Sequence, residues 1–295
     1  MTRPLRFGLH SIGTDPATDA RRAEDAGFGV LTVADHVADG MTDPWVALTA
    51  ASAASDTIRL GTLVLNNDFH NPWLLARAAL TLDQMSGGRL ELGLGAGHGW
   101  PEYEAIGVDF DEPAVRVARL RGAVDVLDGL LRGDADGRLP APTQTPRLPL
   151  LVGGHARSVL RLGAERCEIV GLTGSGKTMA DGLHHEATGF TPEVVDERVA
   201  LIREVDADVE INVLVQWVTI TDDPRREAEG LVKRAPYLTV EDLLASPYVW
   251  IGTEQSIRDD IASYRERWGM TYFTVFSRDV DAAATVIGGM TDSGA

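Results

Sequence analysis

Two periodicities alternate along this chain. Apolar runs five to ten residues long recur between stretches whose apolar positions fall three and four apart, the pattern of strands separated by helices. The runs are 6–10 (RFGLH), 30–35 (VLTVAD), 59–66 (RLGTLVLN), 90–95 (LELGLG), 150–154 (LLVGG), 167–172 (CEIVGL), 210–219 (EINVLVQWVT) and 272–276 (YFTVF). Their near-continuous apolarity suits strands buried on both faces, as in a parallel sheet covered by helices.

The stretches between them carry helix punctuation. Asp15-Pro16 opens a helix that Gly27 ends, and Gly87-Gly88 stops the one over 72–86. Further helices are read at 44–54, 157–166, 192–205 and 253–268. Pro113 opens another, with Leu120, Val124, Leu127 and Leu131 along one face. Segment 133–149 reads as a loop, and the region after the fourth strand as an irregular connection. Residues 222–246 read as a charged, helical part of an insertion at about 221–252, and 291–295 as a loose tail. Eight strand–helix units predict a (β/α)8 TIM barrel, one domain over 1–295 with loop insertions at its C-terminal face. A doubly wound open sheet is the alternative.

Composition narrows the partners. With 44 acids against 27 Lys plus Arg, the net charge is −17, which gives nucleic acid no basic footprint. Cys167 is the only cysteine, so neither an internal disulfide nor a cysteine-based zinc site is expected. The opening MTRPLRFGLH lacks a signal-peptide run, and no stretch approaches the roughly 18 apolar residues of a membrane span. The expectation is a cytoplasmic protein that binds neither membrane nor nucleic acid.

In a barrel the chemistry sits just beyond the strand ends. Those positions hold Asp35-His36, then Asn66 to His70, then Ala96-Gly97-His98-Gly99-Trp100, then Gly153-Gly154-His155, then Thr173 to Thr178. His36 is the sharpest candidate, since a strand-end histidine can donate to a ring carbonyl or exchange a proton near neutrality. The plainer reading is a capping histidine beside Asp35. Gly153-Gly154, running into a helix, suits an anion or a simple tight turn. His70 reads as structural or at the rim, and His184-His185 as solvent-facing. A catalytic metal is not expected: the first strand carries His10 alone where metal hydrolases carry a His pair.

Gly171-Leu-Thr-Gly-Ser-Gly176-Lys177-Thr178 matches the P-loop pattern letter for letter after a strand. The next residues, MADGLHHEATGF, predict no firm helix, and EINVLVQW ends without a magnesium-holding aspartate. An NTPase is therefore a distant alternative, and Gly176-Lys177 is read as meeting a phosphate without hydrolysing it.

Together these residues resemble the luciferase-like flavin and deazaflavin oxidoreductases over nearly the whole chain. The telling blocks are ARRAEDAGF at 20–28, VADH at 33–36, RLGTLVLNNDF at 59–69, ALTLDQMSGGRLELGLGAG at 79–97 and PLLVGG at 149–154. They look closest to an actinobacterial branch described as dependent on coenzyme F420, a deazaflavin. The resemblance implies that His36 contacts the reactive ring, with His98 as a second catalytic candidate. It implies a bulge at Leu63-Val64, often with a non-proline cis peptide, behind the ring, and Ala96-Gly97 facing it. Gly153-Gly154 would form a phosphate loop, and Thr173, Gly176 and Lys177 would meet the cofactor's phosphate and tail. Asp35, Asn66 and His155 are placed with them against the cofactor. His10, Phe69, Trp100 and Trp217 are candidates for the substrate pocket, or for packing.

The expected function is F420-dependent hydride transfer between the deazaflavin C5 and a small organic substrate: reduction of a C=C or C=N bond, or oxidation of an alcohol. FMN-dependent two-component monooxygenation and a non-catalytic cofactor-binding barrel are the alternatives. A separate reductase and a homodimer are also implied. Sugar-phosphate dehydrogenases of the family carry a Trp where this chain has Gly40 and a Glu where it has His98, so a glucose-6-phosphate-type substrate is not expected.

Overall fold

Among the described residues, five helices begin alike, with a polar cap followed at once by proline: Asp15, Asp43, Asn71, Thr191 and Asp223 each accept a backbone N–H of the first turn. Proline has no N–H to leave unpaired there, and its fixed φ suits the first helical position. These starts turn the chain back after each strand. The computed structural model describes residues 3–38, 40–182, 184–235 and 237–291.

The strands are β1 (Arg6–His10), β2 (Val30–Val33), β3 (Arg59–Thr62), β4 (Leu65–Asn66), β5 (Leu90–Gly95), β6 (Leu150–Gly153), β7 (Ile169–Leu172), β8 (Glu210–Val215), β9 (Trp217–Ile220), β10 (Val249–Gly252) and β11 (Tyr272–Phe276). Parallel pairing runs β1-β2-β3-β5-β6-β7-β8-β11 and returns to β1, with β4 continuing the third barrel strand along β5. The protein is a (β/α)8 TIM barrel. Side chains of Val30, Leu63, Leu151, Ile169, Leu214 and Tyr272 fill its interior, with Val64 and Phe276 packed against them.

The third run breaks at Leu63-Val64, whose peptide is cis, where the family resemblance implied a bulge. Elsewhere the structure departs from the sequence expectations. The run 210–219 is two strands: Gln216 turns its N–H to Tyr248 O (2.7 Å), and β9 leaves the barrel to pair with β10. Periodicity could not separate them, because the run from Val213 through Val218 is apolar but for Gln216. The expected helical span 222–246 holds two helices, Pro224–Val232 and Val240–Leu244, and strand β10 lies at the end of the insertion. The irregular connection after the fourth strand contains the helix Trp100–Ile106, and a further helix, Val280–Thr291, follows β11. The expected tail 291–295 lies, beyond Thr291, outside the described residues.

The floor of the barrel is ionic. Arg6 donates to Glu210 (3.0 and 2.6 Å) and to Glu91 (2.6 Å), Arg59 donates to Glu91 (2.7 Å), and the Arg6 guanidinium lies 3.8 Å from the Tyr272 ring centre. Glu91 is 4% exposed, so removing it takes from Arg59 its buried counter-charge and leaves Arg6 with Glu210 alone. Breaking one side of such a pair costs about 3–5 kcal/mol, against about 0–1 for an exposed pair. Glu91→Ala is accordingly expected to lower stability by about 3 kcal/mol or more in urea unfolding, while Glu229→Ala, on the exposed Arg225 pair, changes it by less than about 1 kcal/mol. Equal effects would show that the floor network contributes no more than a surface pair.

Candidate active site

The first feature of the barrel mouth is a step in its wall. Between β3 and β4 the chain leaves the ladder, and the Thr62 hydroxyl donates to Gly93 O and accepts from Gly93 N–H, both at 2.8 Å. Val64 then projects between two glycines of the neighbouring strands. A Cβ on Gly95 would lie 2.7 Å from Val64 Cγ2, and one on Gly153 would lie 2.9 Å from Val64 Cγ1. Real Cβ contacts are not so short, so glycine at both places gives the half-buried Val64 its seat.

His36, just past β2, stands beside this step. Its Nδ1 lies 2.7 Å from Glu102 Oε1, and Glu102 Oε2 accepts the Val37 N–H at 3.3 Å. Glu102 is buried in the first turn of the helix Trp100–Ile106. A Cβ on Gly99 would come within 2.9 Å of the Glu102 carboxylate, so the close approach depends on glycine there. The hydrogen bond from Glu102 raises the imidazolium of His36 above its ordinary value; burial opposes this, and the charges of Glu102 and Asp35 assist it. Burial pushes the Glu102 carboxyl up, but the hydrogen bond and charge of His36 hold it below its usual range.

Burial disfavours the charged form of three other mouth histidines. Burial drives His10 down to about 3, helped by the charges of His36 and Arg278, and its Nδ1 lies 2.9 Å from Thr32 Oγ1. Burial, with Arg198 and His185, takes His155 down to about 4. Burial also lowers His185. Rings run in file across the mouth: His36 to His98 at 5.6 Å, His98 to His185 at 4.4 Å and His185 to His155 at 5.9 Å between centroids. His184 is exposed as expected, but His185 is half-buried inside this file rather than solvent-facing. The reason is an antiparallel bridge between Thr178 and His185, which folds the loop back over the mouth. Among the described residues no three His, Cys, Asp or Glu side chains are arranged to hold a metal ion.

The remaining candidates divide. Asp35 braces the wall, accepting from Asn66 N–H (3.1 Å) and pairing with His70 Nε2 (2.8 Å). Asn66 turns its Oδ1 to Asp68 N–H and Tyr103 OH. Arg116 Nε donates to Ala96 O, and Gly97 (φ 73°) leaves no room for a Cβ beside Tyr103 OH. Phe69 packs on Tyr103 at 4.9 Å. Trp100 is partly exposed and lies against Gly182, while Trp217 stands exposed on β9.

The glycine loops differ from a free phosphate cradle. Gly154 N–H donates to Gly171 O (3.2 Å), and Gly176 N–H donates to Glu186 O (2.6 Å). Thr173 and Ser175 share a hydroxyl bond of 2.8 Å, and Lys177 is exposed at the rim. The segment runs into a hairpin and not a helix, so the P-loop pattern lacks P-loop geometry. The helix Arg157–Arg166, by contrast, has no side-chain cap on its first N–H groups. Sequence reasoning missed Glu102 and His185. The Gly99-Trp100-Pro101-Glu102 start, with proline at the first turn and an acid beside it, was the available signal for Glu102.

The luciferase-like monooxygenase family profile matches residues 17–288. A 4-hydroxyprotoasukamycin monooxygenase of Streptomyces nodosus subsp. asukaensis is 32% identical over 136 residues, 43% of this chain and 36% of its own length. A 5,10-methylenetetrahydromethanopterin reductase of Archaeoglobus fulgidus is 32% identical over 152 residues, 48% of this chain and 44% of its own length. The matched stretch thus spans less than half of either relative. An F420-dependent secondary alcohol dehydrogenase, solved with an F420-acetone adduct, superposes with a TM-score of 0.72 at 18% identity, over 97% of this chain and 99% of that one, a likeness of fold. On the strength of a profile that spans all but the ends of the barrel, the chain belongs to the luciferase-like monooxygenase family.

Proposed function

We propose that the protein is an F420-dependent oxidoreductase that transfers a hydride between the deazaflavin C5 and a small organic substrate, with His36 managing the accompanying proton. The His36–Glu102 pair carries this reading. It is a histidine whose charged form a buried carboxylate favours, at a barrel mouth where burial disfavours that form for His10, His155 and His185.

The residues fit a flat, anionic cofactor. Val64 and Leu63 offer an apolar backing for a ring, and a Cβ at Gly95 or Gly153 would displace Val64 from that backing. The uncapped start of the helix Arg157–Arg166, His155, Thr173 and Lys177 would meet the phosphate and tail, local donors set against a net charge of −17. Bound there, the deazaflavin supplies or accepts a hydride.

Every other task falls to the chain. Glu102 holds the His36 tautomer and orientation through Nδ1, leaving Nε2 for the substrate. In the reducing direction the substrate carbon or nitrogen next to the hydride acceptor takes its proton from His36; in alcohol oxidation His36 takes the hydroxyl proton. The raised imidazolium favours the donating role and hence reduction of a C=C or C=N bond. His98, whose ring lies 5.6 Å from that of His36, would help to orient the substrate. A separate reductase would return the cofactor to its reduced form.

FMN-dependent monooxygenation is the second reading, favoured by the 32% identical monooxygenase relative and by an apolar backing that accepts either ring.

Fluorescence titration separates the two. The deazaflavin is expected to bind in the micromolar range (about −8 kcal/mol) and FMN at least about tenfold more weakly; tighter FMN binding with oxygen-dependent turnover would select the second reading. Lys177→Ala is expected to weaken the deazaflavin about fivefold, and an unchanged affinity would remove Lys177 from the site. For substrate reduction, kcat/KM is expected to fall as pH rises through the raised His36 value, because the donor is the protonated form. Glu102→Gln removes the main cause of that rise, so the fall moves to lower pH and kcat drops about tenfold to a hundredfold. A pH profile identical to that of the wild type would rule out the pair as the proton device.

A further inference from the structure

At the opposite end of the barrel a cavity of about 420 Å³ opens beneath the starts of β8 and β11. Its walls include Arg3, Arg203, Arg265, Asp208, Glu210 and Thr271. The N-terminal face of such a barrel ordinarily serves stability, and this chain is strongly acidic, so three guanidinium groups around one hollow are unexpected. Their counter-charges are few. Glu210 is engaged by Arg6 at 3.0 and 2.6 Å, which leaves exposed Asp208 as the other acid of the wall.

Two of the three arginines are also held in place. Arg203 donates through Nη1 to Ala207 O (3.0 Å) and Val209 O (2.6 Å) and through Nη2 to Gly269 O (3.3 Å). Arg265 donates through Nη2 to Arg3 O (2.9 Å). Burial and the nearby Arg3 charge push Arg203 below its ordinary value, and Asp206 and Asp208 do not offset them. Fixed cations that repel one another across a cavity are stabilised by an anion placed between them, and guanidinium forks match phosphate and carboxylate oxygens.

We propose that this cavity is a binding site for a small multivalent oxyanion, a phosphate ester or a polycarboxylate, separate from the barrel mouth. Its volume lies within the range of small-molecule pockets. Occupancy would tie the N-terminal segment at Arg3 to the segments at Ala207–Glu210 and Gly269–Thr271, and would stabilise the folded chain by mass action.

Thermal unfolding of the whole chain tests this, with sodium phosphate, sodium citrate and sodium chloride compared at equal ionic strength. Phosphate or citrate at about ten times its dissociation constant is expected to raise Tm about 2 °C above the chloride control. Phosphate alone would assign a phosphate ester, and citrate alone a polycarboxylate. Arg3→Gln, whose side chain holds none of the carbonyls, is expected to weaken the anion about tenfold by calorimetry and to leave deazaflavin or FMN binding unchanged. Arg265→Lys keeps the charge and is expected to lose less. No gain over chloride, or the same gain in Arg3→Gln, would overturn the proposal.

Discussion

The mouth of this barrel depends on one substitution of hydrogen bonds. Where β3 should continue its ladder to β5, the Thr62 hydroxyl takes both partners of Gly93, its carbonyl and its N–H. A buried peptide group left unpaired would cost about 1–3 kcal/mol, so a backbone can leave a sheet only where something else satisfies its neighbour. With that seam closed by a side chain, Leu63 and Val64 are free to step inward. The step is seated by Gly95 and Gly153, which belong to the next two barrel strands. A threonine, a valine and two glycines therefore act as one unit. Changing any of them moves the wall against which a ring would lie.

Charge is arranged around that unit with few cations. Burial disfavours the charged form of His10, His155 and His185, because a buried imidazolium loses more hydration than its surroundings return. His36 escapes because Glu102, itself buried, pairs with it. The pair is mutual: the carboxylate keeps its charge because the imidazolium is there. Of these mouth histidines, His36 is the one whose charged form the surroundings favour. The floor uses the same pairing without a histidine, with Arg6 set between Glu91 and Glu210.

Much of this was legible in the sequence, and the reasons for the rest are physical. Strands β1, β5 and β11 follow from apolar runs bounded by turn residues, and the helix starts follow from Asp-Pro, Asn-Pro and Thr-Pro pairs. Leu63-Val64 was placed through the family resemblance, since nothing in LVLN itself departs from a strand. His36 could be found because strand ends are where a barrel does chemistry. Glu102 could not, because its place depends on how a short helix turns back toward His36, 66 residues away in sequence. His185 was hidden for a related reason: in a polar loop it looks solvated, and only the bridge from Thr178 brings it inward.

The P-loop lookalike shows the same limit from the other side. Its letters match a nucleotide-binding loop, yet a phosphate is held by N–H groups, and letters do not say whether those groups are free. Here Gly176 N–H bonds Glu186 O, and Gly174 O accepts from Gly189 N–H, so the loop's polar groups close a hairpin over the mouth. The arginines at the far end make the converse case. No motif joins Arg3, Arg203 and Arg265 in sequence, but barrel closure brings the first strand beside the last and sets all three around one hollow. An anion would be met by whichever donors folding leaves unengaged, and by that measure the rim at Lys177 and the floor at Arg3 are better placed than the glycine pattern itself.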